Sequence, residues 1–368
     1  MISLLFKNTI VSLFAFLVSF LVCELLTIYL IGHPLKNNEY KRIVLYQKSQ
    51  NFKNQKNFFT YYPNSTFRTE AFFVLEDENG INPVKEYSYY INTNNIGLVQ
   101  KLNIKKNDNV TLILGDSFTE GQGANPWFYK LEKELPDKKF VNGGLMGTGP
   151  LQWKLLRDFL KRDLNLNYNE TIQIIIGPDI VRPIWNFDKE RLNCIQKAVC
   201  STGLSDFFGY NFQGKNEKEI LDDVIDIFYK NQSQSINLKS RSIKGLFRES
   251  AFIYNTYILV NKIFINDDHL IQKNLNSLFE THLNSTNSSL ILVSIKPEIC
   301  GSNDCTKSKT KPKEVIWSSN SKKIIEYAKN LNLELDFCIL DPEDYHKHDG
   351  HPNEKGYSKI KDCVKRNL

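Results

Sequence analysis

The chain is short of several things that would point its function elsewhere. It has no basic stripe: 47 Lys and Arg against 41 Asp and Glu leave a net charge of +6, and the lysines are scattered along the sequence. A nucleic-acid-binding surface therefore has no electrostatic footprint here. Cys300-Gly-Ser-Asn-Asp-Cys305 has no second Cys or His pair at ligand spacing, so no metal site and no cofactor is expected. No internal repeat is visible, which excludes solenoid architectures. What remains is 368 residues at 41% hydrophobic content, enough for a large core in one or two domains.

The amino terminus carries the one long apolar run. From Ile10 to Ile31 the only charge is Glu24, with Lys7 just before. About 20 apolar residues span a bilayer as a helix. A cleavable signal peptide has a shorter apolar core and small residues at its cut site. Ile31-Gly-His33-Pro34 offers no such site, and Phe20-Leu-Val22 before Cys23 lacks the small residue of a lipoprotein cut. Residues 1–32 are therefore expected to be an uncleaved transmembrane anchor, in which Glu24 needs a partner or an interfacial depth. Lys36, Lys41 and Arg42 beyond the run mildly favour a cytoplasmic domain by the positive-inside rule. The seven cysteines argue the other way. Cys194 with Cys200, Cys300 with Cys305 and Cys338 with Cys363 form three local pairs, a disulfide set that persists only in oxidising compartments. The expectation is an extracytoplasmic, periplasmic domain on a membrane anchor.

The most informative segment is Thr111-Leu-Ile-Leu-Gly-Asp-Ser117-Phe-Thr-Glu-Gly-Gln-Gly123. An apolar, β-prone run stops at Gly115-Asp-Ser117, and a helical pattern follows. That puts a serine hydroxyl past the carboxyl end of a buried strand and beside a helix amino terminus, where free N–H groups favour developing negative charge. Strand–helix corners also favour Gly, Asp and Ser as turn formers and N-caps. A second polar motif, Asp349-Gly-His351-Pro-Asn, leaves the apolar run Leu335–Leu340 and precedes a helical pattern over Tyr357 to Val364. In an open parallel α/β sheet, loops at the carboxyl ends of strands converge on one edge. An imidazole and a carboxylate there can activate a serine for acyl transfer.

These blocks resemble those of the SGNH/GDSL hydrolase family. Gly115, Asp116 and Ser117 match its first block, Asn142-Gly-Gly144-Leu-Met-Gly147 its second, and Asp349 with His351-Pro352 its last, with one residue fewer between acid and base. The likeness covers roughly residues 109–182 and 288–368. It implies a three-layer α/β/α parallel sheet of flavodoxin-like order, with Ser117 as nucleophile, His351 as base and Asp349 as acid. It also implies that the N–H groups of Ser117 and Gly144 form the oxyanion hole. The family's third block, Gly-x-Asn-Asp, is altered. Ile176-Gly-Pro178-Asp179 puts proline where the amide donor belongs, and proline donates no hydrogen bond. Arg182, Asn186 or a backbone N–H is left as the substitute, with Asp179 beside them. Of the other histidines, His346 and His348 are expected in the loop, and His33, His269 and His282 on the surface or at caps.

Residues 33–59 read as a polar juxtamembrane linker and residues 61–98 as a few strands, together a segment 33–108. Strand–helix alternation then runs from residue 111 to 176 and resumes at residue 289, as a parallel sheet requires. Residues 184–286 read as a helical insertion, leaving the sheet on the Ser117 edge. Trp185, Phe187, Phe207, Phe208, Tyr210 and Phe212 either line a sugar or acyl pocket there or form the insertion's own core. The expected partner is an ester-bearing substrate, such as an acylated glycan of the cell envelope. Water as acceptor makes an esterase, a sugar hydroxyl makes an O-acetyltransferase, and the loss of the family Asn leaves room for a non-catalytic glycan-binding protein.

Overall fold

The computed structural model describes residues 2–31, 41–47, 53–55, 58–77, 80–183, 206–240, 250, 252–253, 256, 268–285, 287–301 and 315–368. The chain opens with helix α1 (Ile2–Ile31). Glu24 of that helix has found polar partners: its Oε2 accepts from Ser250 Oγ at 2.6 Å and from Phe252 N–H at 3.0 Å. Leu21, Leu25 and Tyr29 on the same helix are exposed. Among the described residues no helix is long and apolar enough to cross a membrane.

The main sheet consists of five parallel strands: β6 (Asn109–Gly115), β7 (Phe140–Gly144), β8 (Asn167–Ile175), β10 (Ser288–Val293) and β11 (Asp336–Cys338). Their spatial order is β11-β10-β8-β6-β7. Renumbered within the sheet this is 2-1-3-4-5, the flavodoxin-like order, whose strand direction of travel reverses between β6 and β8. Both faces are covered, because side chains alternate along each strand. Leu112 and Leu114 join a core with Trp153, Leu156 and Leu160 of α4 (Pro150–Leu164), with Leu275 and Phe279 of α6 (Asp268–Leu283), and with Ile324 and Ala328 of α8 (Ser319–Asn330). Ile113 faces the other way, into a core with Phe128 and Leu131 of α3 (Phe128–Glu134) and Tyr357, Ile360 and Val364 of α9 (Glu354–Arg366). The three-layer expectation holds for this part of the chain. The Cys338–Cys363 disulfide ties β11 to α9, with Cα atoms 5.9 Å apart. Cys300 is also disulfide-bonded, while Cys194, Cys200 and Cys305 lie outside the described residues.

Two expectations need correction. Part of the supposed linker is β1 (Lys41–Gln47), because Ile43-Val-Leu-Tyr46 is a short apolar run that buries completely. It pairs antiparallel with β4 (Thr66–Asp77), which pairs in turn with β5 (Gly80–Asn92), while the two-residue strands β2 (Lys53–Asn54) and β3 (Phe59–Thr60) pair with each other. The insertion is not wholly helical either. It supplies β9 (Asp206–Tyr210), which adds to β1 as a parallel neighbour. Its helix α5 (Glu217–Ser240) then covers the outer face of this second sheet, packing Ile220, Val224 and Phe228 on Ile43, Leu45 and Phe72. Tyr210 and Phe212 belong to that small core, not to a pocket by the sheet edge. The inner face, with Tyr46, Phe67, Tyr89 and Ile91, shares a core with the parallel domain.

Candidate active site

Ser117 starts α2 (Ser117–Glu120), immediately after β6 ends at Gly115. The turn is tight: a Cβ on Gly115 would lie 1.9 Å from Thr119 Oγ1, so no other residue fits there. Asp116 caps the turn, its Oδ1 accepting from Phe118 N–H at 2.9 Å. Gly121 closes it at φ +93, a left-handed conformation that favours glycine. Tyr357 of α9 braces the far end by donating to Gln122 O at 2.6 Å.

The loop after β11 brings in the other two groups. His351 Nε2 lies 3.0 Å from Ser117 Oγ, and His351 Nδ1 lies 2.7 Å from Asp349 Oδ1. The three groups, 234 residues apart at the widest, form one continuous hydrogen-bonded chain. Phe118 packs its ring on the imidazole, centroids 5.7 Å apart. His346 and His348 are elsewhere: the first bonds Gly123 O at 2.7 Å, the second stacks on Phe73. His282 pairs with Ser288 Oγ, and His33 lies outside the described residues.

Asp349 is 4% exposed. Its Oδ1 also accepts the His351 N–H at 3.2 Å, and its Oδ2 accepts from Tyr87 O–H at 2.8 Å and Arg42 Nε at 3.0 Å. Burial alone would raise this carboxyl. The His351 and Arg42 charges, with hydrogen bonds from His351 and Tyr87, outweigh burial and hold it well below the usual carboxylate range. The loop is also pinned from beneath by Lys296 of α7 (Lys296–Cys300), itself 1% exposed. Its Nζ donates to His346 O at 2.8 Å, Lys347 O at 2.7 Å and Asp349 O at 3.3 Å. A buried ammonium with carbonyl acceptors avoids the full cost of an unpaired charge.

On the other side of Ser117 a second cluster forms. A 3₁₀ turn over Gly177–Val181 follows β8. Arg182 beyond it reaches Asp116 Oδ2 at 2.9 Å, Asp179 Oδ1 at 2.6 Å and Thr148 O at 2.7 Å, all through Nη1. Asp116 Oδ2 is in turn 3.3 Å from Ser117 Oγ. Burial, and then the neighbouring Asp116 charge, drive Asp179 well above the usual carboxylate range despite Arg182. Asp179 also accepts the Ile176 N–H at 2.9 Å. Arg182 thus acts as a clamp on the elbow. Asn186, the other expected substitute donor, lies outside the described residues, as do Trp185 and Phe187.

Gly144 departs from expectation. Its N–H donates to Asn142 Oδ1 at 2.9 Å, because the Asn142 side chain folds back along the end of β7. The turn after it is anchored differently. Leu145 N–H goes to Gly115 O and Met146 N–H to Glu120 Oε2, while Thr148 N–H goes to Leu145 O. Glu120 is fully buried, and burial pushes its carboxyl up to about 8 against hydrogen bonds from Tyr61 and Met146 that lower it. Sequence reasoning missed Arg42, Tyr87, Lys296 and Glu120. For Arg42 the signal was present, in the apolar run that follows it. A polar cleft of about 460 Å³, lined by Asn107, Asp137, Lys139 and Glu170 among others, lies at the amino ends of the strands, away from Ser117. Among the described residues no cluster of His, Cys, Asp and Glu suits a metal ion.

No family model matches the chain, and no curated protein matches it. Solved structures that it is similar to include a protein of Bacteroides fragilis described as an acylhydrolase, at 12% identity, 72% of this chain, 88% of that chain and a TM-score of 0.28. Others are a GDSL-like lipase from Bacteroides thetaiotaomicron, at 13%, 70%, 85% and 0.27, and one described as a GDSL-like lipase from Parabacteroides merdae, at 14%, 73%, 98% and 0.29. Superposition this weak carries no weight for the chain's activity.

Proposed function

We propose that this chain is a serine ester hydrolase of SGNH/GDSL type, acting on an acyl or acetyl ester of the cell envelope from an amino-terminal membrane anchor. The observation that carries the reading is the relay from Ser117 Oγ through His351 to Asp349, with steps of 3.0 and 2.7 Å at a strand–helix corner. Such spacing suits proton transfer from the hydroxyl to the imidazole as the oxygen attacks an ester carbonyl. The carbonyl π pair moves to oxygen, the imidazolium then protonates the leaving alcohol, and water repeats the cycle to release the acid. Asp349, held ionised, orients the ring and balances its transient charge.

The tetrahedral oxyanion needs donors. Ser117 N–H is one. Gly144 has spent its N–H on Asn142. In the following turn the N–H groups of Leu145, Met146 and Thr148 are taken, and the second donor in this reading is the N–H of Gly147, at φ +68 and only partly buried. Backbone donors make the proline at position 178 compatible with turnover.

The Cys338–Cys363 disulfide supports an oxidising, extracytoplasmic location; the anchor rests on the apolar sequence from Ile10 to Ile31 alone, as no described helix is long and apolar enough to cross a membrane. A sugar hydroxyl as acceptor gives the transferase alternative. The test is labelling of the full chain with a fluorophosphonate. Wild type is expected to label and Ser117→Ala not at all; an unlabelled wild type, or an equally labelled variant, overturns the reading. Release of acetate from an O-acetylated glycan, with and without an added sugar acceptor, then separates hydrolase from transferase.

A further inference from the structure

Asp349 receives two of its four donors from outside the parallel domain. Arg42 is the second residue of β1 and stands opposite Phe73 on β4, while Tyr87 on β5 stands opposite Ala71. The two therefore come from strands on either side of β4, and both aim at the same oxygen, Oδ2. They also touch one another, Arg42 Nη2 donating to Tyr87 O–H at 3.3 Å. That arrangement blocks rotation of the carboxylate and leaves Oδ1 facing His351 Nδ1 and N–H.

Docking of the two sheets does not depend on this contact. Tyr46, Phe67, Tyr89 and Ile91 already share a continuous apolar core with Leu112 and Leu114 of β6. A guanidinium against a buried carboxylate is weak evidence for stability in itself, so its placement calls for another account. We propose that Arg42 and Tyr87 are positioning residues for the serine relay, through which the amino-terminal sheet fixes Asp349 and tunes the charge that His351 meets. This rests on the hydrolase reading above.

The consequence is specific. Arg42 offsets part of the Asp349 charge, and so opposes formation of the imidazolium. Removing that positive charge makes protonation of the relay easier and moves the acid limb of the pH–rate profile to higher pH. Tyr87 stays a donor throughout, since burial and then the Asp349 charge push its phenol well above the usual value. The other charged or titratable groups around the relay stay in place: Lys296 of α7 under the loop, His346 beside the Tyr87 ring, Glu86 of β5 on the His348 N–H, and Asp116 beside Ser117.

The experiment measures fluorophosphonate acylation rates of the full chain from pH 5 to 9, with thermal unfolding alongside. Tyr87→Phe is expected to slow labelling about tenfold with the acid limb unmoved. Arg42→Gln is expected to slow it similarly and shift the limb upward by about one pH unit, and Arg42→Lys to return the limb to its wild-type position. Wild-type rates and limbs in all variants overturn the proposal, and so does slowing that only follows lost thermal stability with an unmoved limb in Arg42→Gln. An unlabelled wild type removes the parent reading instead, and this one with it.

Discussion

Two buried carboxylate clusters flank Ser117, and each carries one guanidinium, yet they are driven in opposite directions. Asp349 faces Arg42, His351 and Tyr87 and is held well below the usual carboxylate range. Asp179 shares Arg182 with Asp116 and is driven well above it. Both are desolvated, so burial does not separate them. The neighbours do: the His351 and Arg42 charges, with hydrogen bonds from His351 and Tyr87, outweigh burial at Asp349, whereas the Asp116 charge adds to burial at Asp179 and a proton relieves it. In the hydrolase reading, the first cluster keeps an ionised acid for the relay. The second is a clamp that secures the elbow and the 145–148 turn behind the serine.

Substitution at each acid tests that division, beginning with the largest effect. Asp349→Asn is expected to lower the labelling rate of Ser117 by about 10³–10⁴-fold at a temperature where the variant is still folded, well beyond what its lost stability explains, since the ring loses its orienting anion. A loss under tenfold would place Asp349 in the structural class with Asp179. Arg182→Met comes next. It leaves Asp116 and Asp179 without their guanidinium and is expected to cost about 3–5 kcal/mol in denaturant unfolding, as breaking a buried pair does. An unchanged midpoint would mean that the clamp bears no load.

Asp179→Asn has the smallest expected effect and the sharpest sign. The amide mimics a protonated carboxyl and keeps an oxygen for the Ile176 N–H, so labelling should stay within a few-fold of wild type. A raised folded-state carboxyl contributes stability that is present below the unfolded value of about 4 and lost as pH climbs toward the folded one. Stability of the wild type should therefore fall with rising pH above about 4, with a slope up to about 1.4 kcal/mol per pH unit from this group. The amide variant should flatten that slope. Asp349 has the opposite sign, its contribution being present above about 4 and lost only in stronger acid.

Much of the parallel domain was legible in the residues. The β6 run ending in Gly115-Asp-Ser117, the apolar spacing of α3, α4 and α9, and the Cys338–Cys363 pair depend on local propensity and on neighbours within 25 residues. The choice of His351 over His346 and His348 came from the resemblance, which places the base just before a proline at a helix start, as at Pro352. The amino-terminal sheet was less legible, because β1 is a short apolar run inside a polar segment and finds a partner, β9, far along the chain. Of the polar partners of Asp349, only Arg42 had a signal, the apolar run after it, and nothing in the sequence pointed to Tyr87.

Periodicity, turn chemistry and the order of the three motifs thus determined from sequence alone that strands and helices alternate and that a serine, a histidine and an acid stand at strand ends. Tertiary structure decided which groups those three would meet. Arg42 lies 307 residues from Asp349 and Tyr87 lies 262 from it, and only the packing of one sheet on another brings them together. The use of the Gly144 N–H was likewise settled by how the Asn142 side chain folds. Hydrophobic patterning is written along one chain segment at a time, whereas the charge around a buried carboxylate is a sum over every segment that folding brings within a few ångströms of it.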